Sequence, residues 1–471
     1  MNTVLFTILV LIVGIIMSSS SSWTSSRRKH SLMASQILVI GVPLLNWIYA
    51  VSIQVFLAMW NECSWIHVIK PIILHWLWLS LTCIIVLLTH FYDPTGQIQH
   101  ILFWTLAILF ILVSIYTVPH LRKVYILGPN PCIQTNKHSM KGKVILITGA
   151  NTGIGKETTR ILVHHFGATV IMACRNEVKA REAREDILSW CSRHSLSEEG
   201  EDEIQNRIHI LTMDVSSLQS IRQAVHMLET QVLPTIYTHA KSTTATYHSM
   251  NSTSSLSPPG CIDVLINNAG VMLGAYQTSI DGYELTMASN HIGHFLLIQL
   301  LQPLLRKSLD PRIIQVTSST YTLATKGIDL DDILCNQGKR HYTLFGQYAQ
   351  SKLANILLSL EFHRRELLLS QQQQSISIFN VHPGLVRTDV VRNMPWYLKI
   401  PNTLLGFILT LLQKPPEAGA YTSIYCATCP QLQDTSGCYF VNSTIVDTNE
   451  YAKDIEAAKK LWLLSEEWIS T

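Results

Sequence analysis

The first quarter of the chain is almost continuously apolar. Three stretches without Asp, Glu, Lys or Arg run from Ile37 to Trp60, from Pro71 to Thr89 and from Ile101 to Val118. About 20 helical residues cross the hydrocarbon of a bilayer. Because these stretches lack the polar face of a soluble helix, each predicts a membrane span. A shorter stretch of 14 residues, Val4 to Met17, is compatible with a signal-type segment or with a short first span.

The pattern changes to alternating elements from about residue 139. The segment Lys143 to Ile147 contains a short apolar run and leads into a glycine-rich turn, and a helical pattern follows through Phe166. A second apolar run, Thr169 to Ala173, comes next. Strand, glycine turn, helix and strand form the unit that binds dinucleotides, in which the helix start receives a pyrophosphate. We therefore expect an α/β fold, a Rossmann-type doubly wound parallel sheet preceded by an N-terminal bundle of three to four transmembrane helices.

Composition agrees with this division. Charged residues make up 14% of the chain, against roughly 25% in a typical soluble protein. Six of them lie in residues 1–120, which we assign to the membrane segment; residues 121–140 are assigned to a linker and 141–465 to the catalytic domain. The net charge of +3 gives no reason to expect a nucleic-acid partner. Ten scattered cysteines do not form a disulfide framework.

The orientation of the domain stays open. The cluster Arg27-Arg28-Lys29 favours a cytoplasmic N-terminal side, and three crossings would then place the domain in the lumen. A second set of cations beside the domain favours the cytoplasm for it; these are Arg122, Lys123, Lys137, Lys141 and Lys143. An odd number of spans cannot satisfy both clusters. Glycosylation sequons begin at Asn251 and Asn442, and they would be used only in a lumenal domain.

Further motifs follow the glycine turn in a fixed order. The turn itself is Thr148-Gly-Ala-Asn-Thr-Gly-Ile-Gly155, with the spacing G-x-x-x-G-x-G. After it come Asp214-Val215, Asn267-Asn-Ala-Gly270, Asn290, Ser318, Tyr348-x-x-x-Lys352 and His382-Pro-Gly-Leu-Val-Arg-Thr388. In this order and over residues 141–465, the chain resembles the short-chain dehydrogenase/reductase family. The longer gap between Ser318 and Tyr348 resembles the retinol dehydrogenase branch.

The resemblance implies a chemistry and a set of residues. Tyr348 would exchange a proton with the substrate oxygen, Ser318 would hold that oxygen, and Asn290 would hold a relay water behind Lys352. The cofactor-binding positions it implies are Gly149, Asn151, Thr152, Gly153, Ile154, Gly155, Arg175, Asp214, Val215, Asn268, Tyr348, Lys352 and Thr388. Spacing alone places Tyr348 and Lys352 on one face of a helix. A cation at Lys352, with the positive nicotinamide ring, is expected to lower the pKa of the Tyr348 phenol.

The end of the second strand favours NADP(H) over NAD(H). Enzymes that prefer NAD usually place an acidic side chain there for the ribose 2′-hydroxyl. This chain has Arg175, whose guanidinium suits a 2′-phosphate by charge and by geometry. The alternative is an ordinary solvated arginine.

Two segments look inserted, and a third could meet the substrate. Residues 196–206 and 238–260 are polar and aperiodic, which predicts surface loops. In the family, the substrate flap follows Thr388; here it runs from Asn393 to Pro416 and includes the uncharged segment Ile400 to Leu412. That segment could be a buried helix over the site or an apolar lid that dips into the membrane.

Two smaller patterns could be explained either by packing or by metal binding. Cys426-Ala-Thr-Cys429 and His291-x-x-His294 could suggest a metal, but two ligands are too few, and packing is the preferred interpretation of both. No metal is expected.

The resulting function is a membrane-anchored, NADP(H)-dependent oxidoreductase that interconverts an alcohol and its aldehyde or ketone. The resemblance implies a lipid substrate such as a retinoid or an isoprenoid, and an integral membrane protein of the endoplasmic reticulum. The alternative is a catalytically silent regulatory protein that only binds the dinucleotide. A homo-oligomer remains open.

Overall fold

A computed structural model describes residues 128–130, 139–194, 204–244, 258–338, 341–369, 374–386 and 413–470. Outside the described residues lie the predicted membrane spans, the cluster Arg27-Arg28-Lys29, and the cations Arg122, Lys123 and Lys137. The sequon at Asn251, Thr388 and the apolar segment 400–412 lie outside them as well. Within them, no helix has both the length and the apolar character needed to cross a bilayer. The spans and the membrane segment stay predictions.

A parallel sheet forms the centre of the domain. Its strands are β1 (Val144–Thr148), β2 (Thr169–Cys174), β3 (Ile208–Thr212), β4 (Val264–Asn267), β5 (Arg312–Val316), β6 (Ser377–His382), β7 (Tyr439–Val441) and β8 (Thr444–Val446). Their order is β3-β2-β1-β4-β5-β6-β7-β8, and β8 pairs antiparallel to β7 while all the other pairs are parallel. The order reverses beside β1, which confirms the predicted doubly wound Rossmann-type sheet.

Helices cover both faces of the sheet. They are α1 (Gly153–His164), α2 (Glu177–His194), α3 (Leu218–Met227), α4 (Leu233–Thr244), α5 (Gly293–Leu305), α6 (Leu344–Leu369), α7 (Pro416–Thr428) and α8 (Ile455–Ser470). Side chains alternate along a strand, so neighbouring positions serve opposite cores. Leu146 packs in the core with α3, α5, α6 and α8, whereas Ile147 packs in the core with α1, α2 and α7.

Two helices are interrupted by π-helical segments. Leu228–Val232 joins α3 to α4, and Ala288–Ile292 precedes α5. The second segment follows a single turn, Leu285–Met287, whose start is capped by the buried Glu284. π-Bulges are common at functional sites because they displace side chains and free a carbonyl from the regular ladder. This one contains Asn290.

The two predicted surface loops are partly helical, which corrects the sequence interpretation. Residues 238–244 belong to α4, because that helix is already nucleated by the buried Leu233 and Ile236 and extends at little cost. Thr238 also donates its hydroxyl to the carbonyl of Pro234 at 2.8 Å, so a polar residue is accommodated within the helix. In the segment 196–206, Ile204 is buried in the core beneath α2.

Candidate active site

The glycine turn leaves room for a ligand at the start of α1. Gly149 has φ +66°, which a side chain would strain. A Cβ at Gly155 would lie 2.4 Å from the Gly149 carbonyl oxygen and 2.6 Å from Asn268 Nδ2, so only glycine fits there. The first turn of α1 carries no acidic side chain that would oppose an anion. These features fit the pyrophosphate of a dinucleotide.

A hydrogen-bonded network joins this turn to β4. The Thr148 hydroxyl oxygen accepts the backbone N–H groups of Asn268 and Ala269, each at 2.9 Å. Asn268 Nδ2 donates to the carbonyl oxygen of Thr148 at 2.9 Å. The carboxyl ends of β1 and β4 are therefore held together at the crevice where ligands of such sheets bind.

The residues predicted to bind the adenosine end of the cofactor follow β2 and β3. Arg175 Nη1 lies 3.8 Å from Asp214 Oδ2, and the arginine side chain is 70% exposed. Asp214 Oδ1 accepts the backbone N–H and the hydroxyl of Ser216. A Cβ at Gly293 would lie 1.8 Å from the Val215 carbonyl oxygen, so this glycine lets α5 approach the loop. The structure thus brings Arg175, Asp214 and Val215 to the expected edge.

Tyr348 and Lys352 lie one turn apart on α6. Lys352 Nζ is 5.5 Å from the centre of the Tyr348 ring and donates to the Val316 carbonyl oxygen at 2.9 Å. Ser318 follows β5 and hydrogen-bonds the Tyr348 side chain. The three side chains predicted for catalysis at the end of β5 and on α6 are therefore brought together.

The surroundings of this pair shift both pKa values away from their ordinary positions. Burial raises the pKa of Tyr348 to about 12, and the hydrogen bond to Ser318 opposes this rise. Burial lowers the pKa of Lys352 to about 8. Loss of solvation disfavours the ionised phenolate more than the hydrogen bond with Ser318 favours it. Tyr348 is therefore a neutral phenol in this structure, ready to donate a proton.

Asn290 has most of its hydrogen-bonding capacity engaged. Its Oδ1 accepts the Val271 N–H at 2.8 Å, and its Nδ2 donates to the Val271 carbonyl oxygen at 3.0 Å and to Ser351 Oγ at 2.9 Å. The side-chain amide of Asn290 thus connects the π-helical segment to the loop that follows β4 and to α6. The side-chain oxygen Oδ1 has a second lone pair and can accept one more hydrogen bond, which is the capacity that a relay water would need.

His294 supports the same segment, and sequence analysis assigned it to packing. Its Nδ1 lies 3.1 Å from the Asn290 carbonyl oxygen and its Nε2 lies 3.0 Å from the Thr148 hydroxyl. A carbonyl only accepts, so Nδ1 carries the proton and Nε2 accepts from Thr148. Burial, with a smaller effect of Lys352, lowers the pKa of His294 to about 4, which keeps the ring neutral. The ring connects the end of β1 to the π segment.

The start of α6 is positioned by a buried carboxylate. Glu284 accepts the backbone N–H groups of Thr286 and Met287, each at 2.8 Å. Gln347, which precedes Tyr348, donates its Nε2 to Glu284 Oε2 at 2.7 Å. Glu284 therefore fixes the start of the helical segment that carries Asn290 relative to the helix that carries Tyr348.

Several buried residues around the site received no role in the site from the sequence interpretation. His294, Glu284, His382 and Lys414 are all buried, and their neighbours come from distant parts of the chain. A signal existed for the histidines, since both stand inside motifs, but spacing does not reveal their partners. In the described residues, no group of three or more His, Cys, Asp or Glu side chains could hold a metal ion. Cys426 and Cys429 are buried free thiols at the end of α7.

Comparison with known proteins shows which proteins this chain is similar to. A family model described as a KR domain matches residues 143–254. Human retinol dehydrogenase 13 is 33% identical over 329 residues, which cover 69% of this chain and 84% of that protein. Mouse retinol dehydrogenase 14 is 33% identical over 328 residues, 69% of this chain and 86% of that protein. The WW domain-containing oxidoreductase of Danio rerio is 32% identical over 332 residues, 69% of this chain and 68% of that protein.

The fold and the site define a dinucleotide-dependent oxidoreductase that interconverts CH–OH and C=O groups. The relatives make the assignment more specific. The chain belongs to the short-chain dehydrogenase/reductase family, in its retinol dehydrogenase-like branch.

Proposed function

We propose that this chain is a membrane-anchored, NADP(H)-dependent oxidoreductase that interconverts a lipid alcohol and its aldehyde or ketone. The observation that carries the proposal is the cluster of Tyr348, Lys352 and Ser318 at the carboxyl end of β5, beside the glycine turn. Membrane anchoring rests on the apolar stretches of residues 1–120.

A nicotinamide cofactor held at the glycine turn would bring hydride-transfer chemistry to the site, and in the reductive direction the protein's own side chains would position the carbonyl and protonate its oxygen. Ser318 Oγ would hold the carbonyl oxygen by a hydrogen bond, and the Tyr348 hydroxyl would donate the proton that this oxygen needs. A protonated tyrosine is the form favoured by its raised pKa of about 12. Lys352 would stabilise the phenolate that remains, and a water held by Asn290 would return a proton behind it.

The preference for NADP(H) rests on Arg175. Its side chain is 70% exposed at the end of β2 and its nearest carboxylate oxygen, on Asp214, is 3.8 Å away. An ion pair this long and exposed leaves most of the guanidinium's donors for another anion. A 2′-phosphate is the anion that NADP(H) adds to the ribose. Asn151, Thr152, Gly153, Ile154 and Thr388 complete the proposed cofactor contacts.

The substrate class comes from the relatives and from the composition. Several relatives are named retinol dehydrogenases, and this suggests retinoids or other isoprenoid alcohols and their aldehydes. A membrane-anchored enzyme meets such apolar substrates in the bilayer. The uncharged segment Ile400 to Leu412 supports this as an apolar part of the flap.

The proposal is tested with the full-length protein in lipid nanodiscs. NADPH and NADH would each be offered with retinal, an isoprenoid aldehyde and a steroid ketone, and turnover would be followed by product analysis. We expect the isoprenoid-type aldehydes with NADPH to be the fastest combination. Tight NADPH binding without turnover of any carbonyl would favour the alternative, a silent dinucleotide-binding regulator.

The side of the membrane can be tested separately. A glycosidase-sensitive gel shift that disappears in an Asn251→Gln variant would place the domain in the lumen. Full accessibility of the domain to protease in sealed microsomes, without such a shift, would place it in the cytoplasm. The endoplasmic reticulum is the proposed location, which fractionation of the microsomes checks.

A further inference from the structure

The hydrogen-bond ladder between β5 and β6 ends one residue before the proposed catalytic serine. Val316 pairs with Val381 in the parallel register. Thr317 then donates its backbone N–H to the Val381 carbonyl oxygen at 2.7 Å and its hydroxyl to the same oxygen at 3.1 Å. In a parallel ladder, alternate residues point their N–H groups to the same neighbour, so the next donor toward β6 is the N–H of Ser319.

The main chain of β6 does not continue to meet that donor. Pro383 follows the strand and Gly384 has φ +87°, so the chain turns away. The side chain of His382, the last residue of β6, takes the place of the missing strand. The ring is only 4% exposed, and its Nδ1 accepts the Ser319 N–H at 3.3 Å.

This contact lies next to the group that would hold the substrate oxygen. Ser318 has extended geometry and caps the 3₁₀ turn Ser319–Leu323, and its Oγ accepts the Thr320 N–H at 3.2 Å. The Ser318 and Thr320 hydroxyls are 2.6 Å apart. The direction of Ser318 Oγ therefore depends on how the following turn begins. The His382 ring fixes the first amide of that turn.

The surroundings keep the ring an acceptor. Burial, together with the nearby Lys414 cation, lowers the pKa of His382 to about 3. Lys414 is itself buried, donates its Nζ to Asn442 Oδ1 at 2.6 Å and donates its backbone N–H to the Leu385 carbonyl oxygen at 2.7 Å. A neutral imidazole with an accepting Nδ1 carries its proton on Nε2.

We propose that His382 is a positioning residue: its ring extends the β5–β6 hydrogen-bond ladder by one step and thereby holds the turn that aims Ser318 at the substrate. The inference rests on the proposed function for its kinetic consequence. Its structural part, the bond from the Ser319 amide to the ring, can be measured without turnover.

The donor can be deleted without touching the histidine. Ser319→Pro removes the N–H, and Ser318, with φ −158° and ψ 144°, already has the geometry that a residue before proline prefers. Proline is also tolerated at the first position of a helical turn. The matched control is Ser319→Ala, which keeps the amide. We expect Ser319→Pro to lower kcat about 10- to 100-fold by misplacing Ser318, and Ser319→Ala to remain near the wild type.

Variants of His382, at the end of β6, can remove the acceptor of this hydrogen bond or replace it with another acceptor. His382→Leu removes the ring nitrogen, whereas His382→Asn places an amide oxygen on the same Cγ. We expect His382→Leu to lower kcat about as much as Ser319→Pro, with NADPH affinity within about twofold of the wild type, and His382→Asn to recover most of the loss. The double variant should be no slower than the slower single variant, because both remove one bond. A remote histidine on α6, His363→Leu, is the control for loss of a half-buried ring.

Hydrogen exchange of the Ser319 amide decides the inference even if no substrate turns over. The amide should exchange faster in His382→Leu than in the wild type, and His382→Asn should restore protection. Unchanged protection in His382→Leu would overturn the proposal, as would wild-type kcat in Ser319→Pro and His382→Leu, or additive losses in the double variant. A wild-type protein that turns over no carbonyl would instead contradict the proposed function.

Discussion

The two halves of the site are built in different ways. The proposed cofactor half, around β1 and α1, depends on backbone at its glycines: Gly149 and Gly155 leave space because neither has a side chain to fill it. The catalytic half is made of side chains from β5, α6 and the π segment, and each is held by buried polar partners. The cofactor half therefore depends on the absence of side chains at its glycines. The catalytic half depends on contacts between residues that are distant in sequence.

The difference has a consequence for mutational sensitivity. In the cofactor half, an added methyl group should be the damaging change, and its effect should appear in NADPH affinity. In the catalytic half, a lost polar atom should be the damaging change, and its effect should appear in kcat. Each of the following experiments tests one side of this contrast.

The largest effect is expected from Tyr348→Phe. The variant keeps the ring and its packing but removes the proton donor, so kcat should fall about 1,000-fold while the Kd for NADPH stays near the wild type. Single-turnover kinetics and NADPH fluorescence measure the two quantities. Tyr425→Phe on α7 is the matched control and should leave both unchanged. Substantial turnover by Tyr348→Phe would remove the tyrosine from the mechanism.

Acid should destabilise the catalytic half. Burial lowers the pKa of His291 and of His294 to about 4. An unfolded histidine titrates near 6.5, so the unfolded chain binds protons more readily. The contribution of each neutral ring to the free energy of unfolding is complete above pH 6.5 and is lost as the pH falls toward 4. The loss is about 3 kcal/mol for each ring once the ring is protonated in both the folded and the unfolded chain.

Thermal unfolding of the full chain in detergent between about pH 7 and pH 5 measures this loss. His294→Gln can keep a donor and an acceptor but cannot be protonated, so its melting temperature should fall less with acid. The exposed His194→Gln is the control and should follow the wild type. Equal slopes for wild type and His294→Gln would show that His294 does not cause the acid loss.

A smaller effect, confined to the cofactor, is expected from Gly155→Ala. The new Cβ would lie 2.4 Å from the Gly149 carbonyl oxygen, a backbone atom that must move. NADPH affinity should fall about 100-fold, the equivalent of about 2.7 kcal/mol. Isothermal titration measures it. Gly346→Ala meets only the Thr343 hydroxyl and should bind NADPH normally. Unaltered affinity in Gly155→Ala would mean that the cofactor does not lie over this turn.

The smallest effect is expected at the exposed rim of the cofactor half. Arg175→Asp should weaken NADPH binding about tenfold and NADH binding little, because a solvent-exposed phosphate contact contributes modestly. Arg181→Asp on α2, equally 70% exposed, should change neither affinity. The ratio of the two Kd values measures the preference. An equal loss for both cofactors in Arg175→Asp would remove the assignment to NADP(H).

Local patterns were sufficient for the first strands of the sheet and for the glycine turn. The apolar run before Gly149 and the glycine spacing predicted β1, the turn and α1, since all lie within about 25 consecutive residues of a βαβ unit. The order of the motifs placed Asn290, Ser318, Tyr348 and Lys352. The inserted segment 238–260 was predicted as a loop, but its first residues extend α4, because a nucleated helix continues through polar residues that a periodicity argument discounts.

The sequence by itself determined the class of fold and the glycine turn, because hydrophobic runs and glycine spacing are local patterns. The residues proposed for catalysis came from the resemblance to the family. Only the tertiary structure decided the upward shift of the Tyr348 pKa and the partners of His294, Glu284 and His382. The ionisation of a buried group depends on the solvent it has lost, and hydrogen-bond partners such as Ser319 and His382 lie more than 60 residues apart along the chain. Which distant residues come into contact is set by packing in the folded chain, so it cannot be predicted from spacing along the sequence.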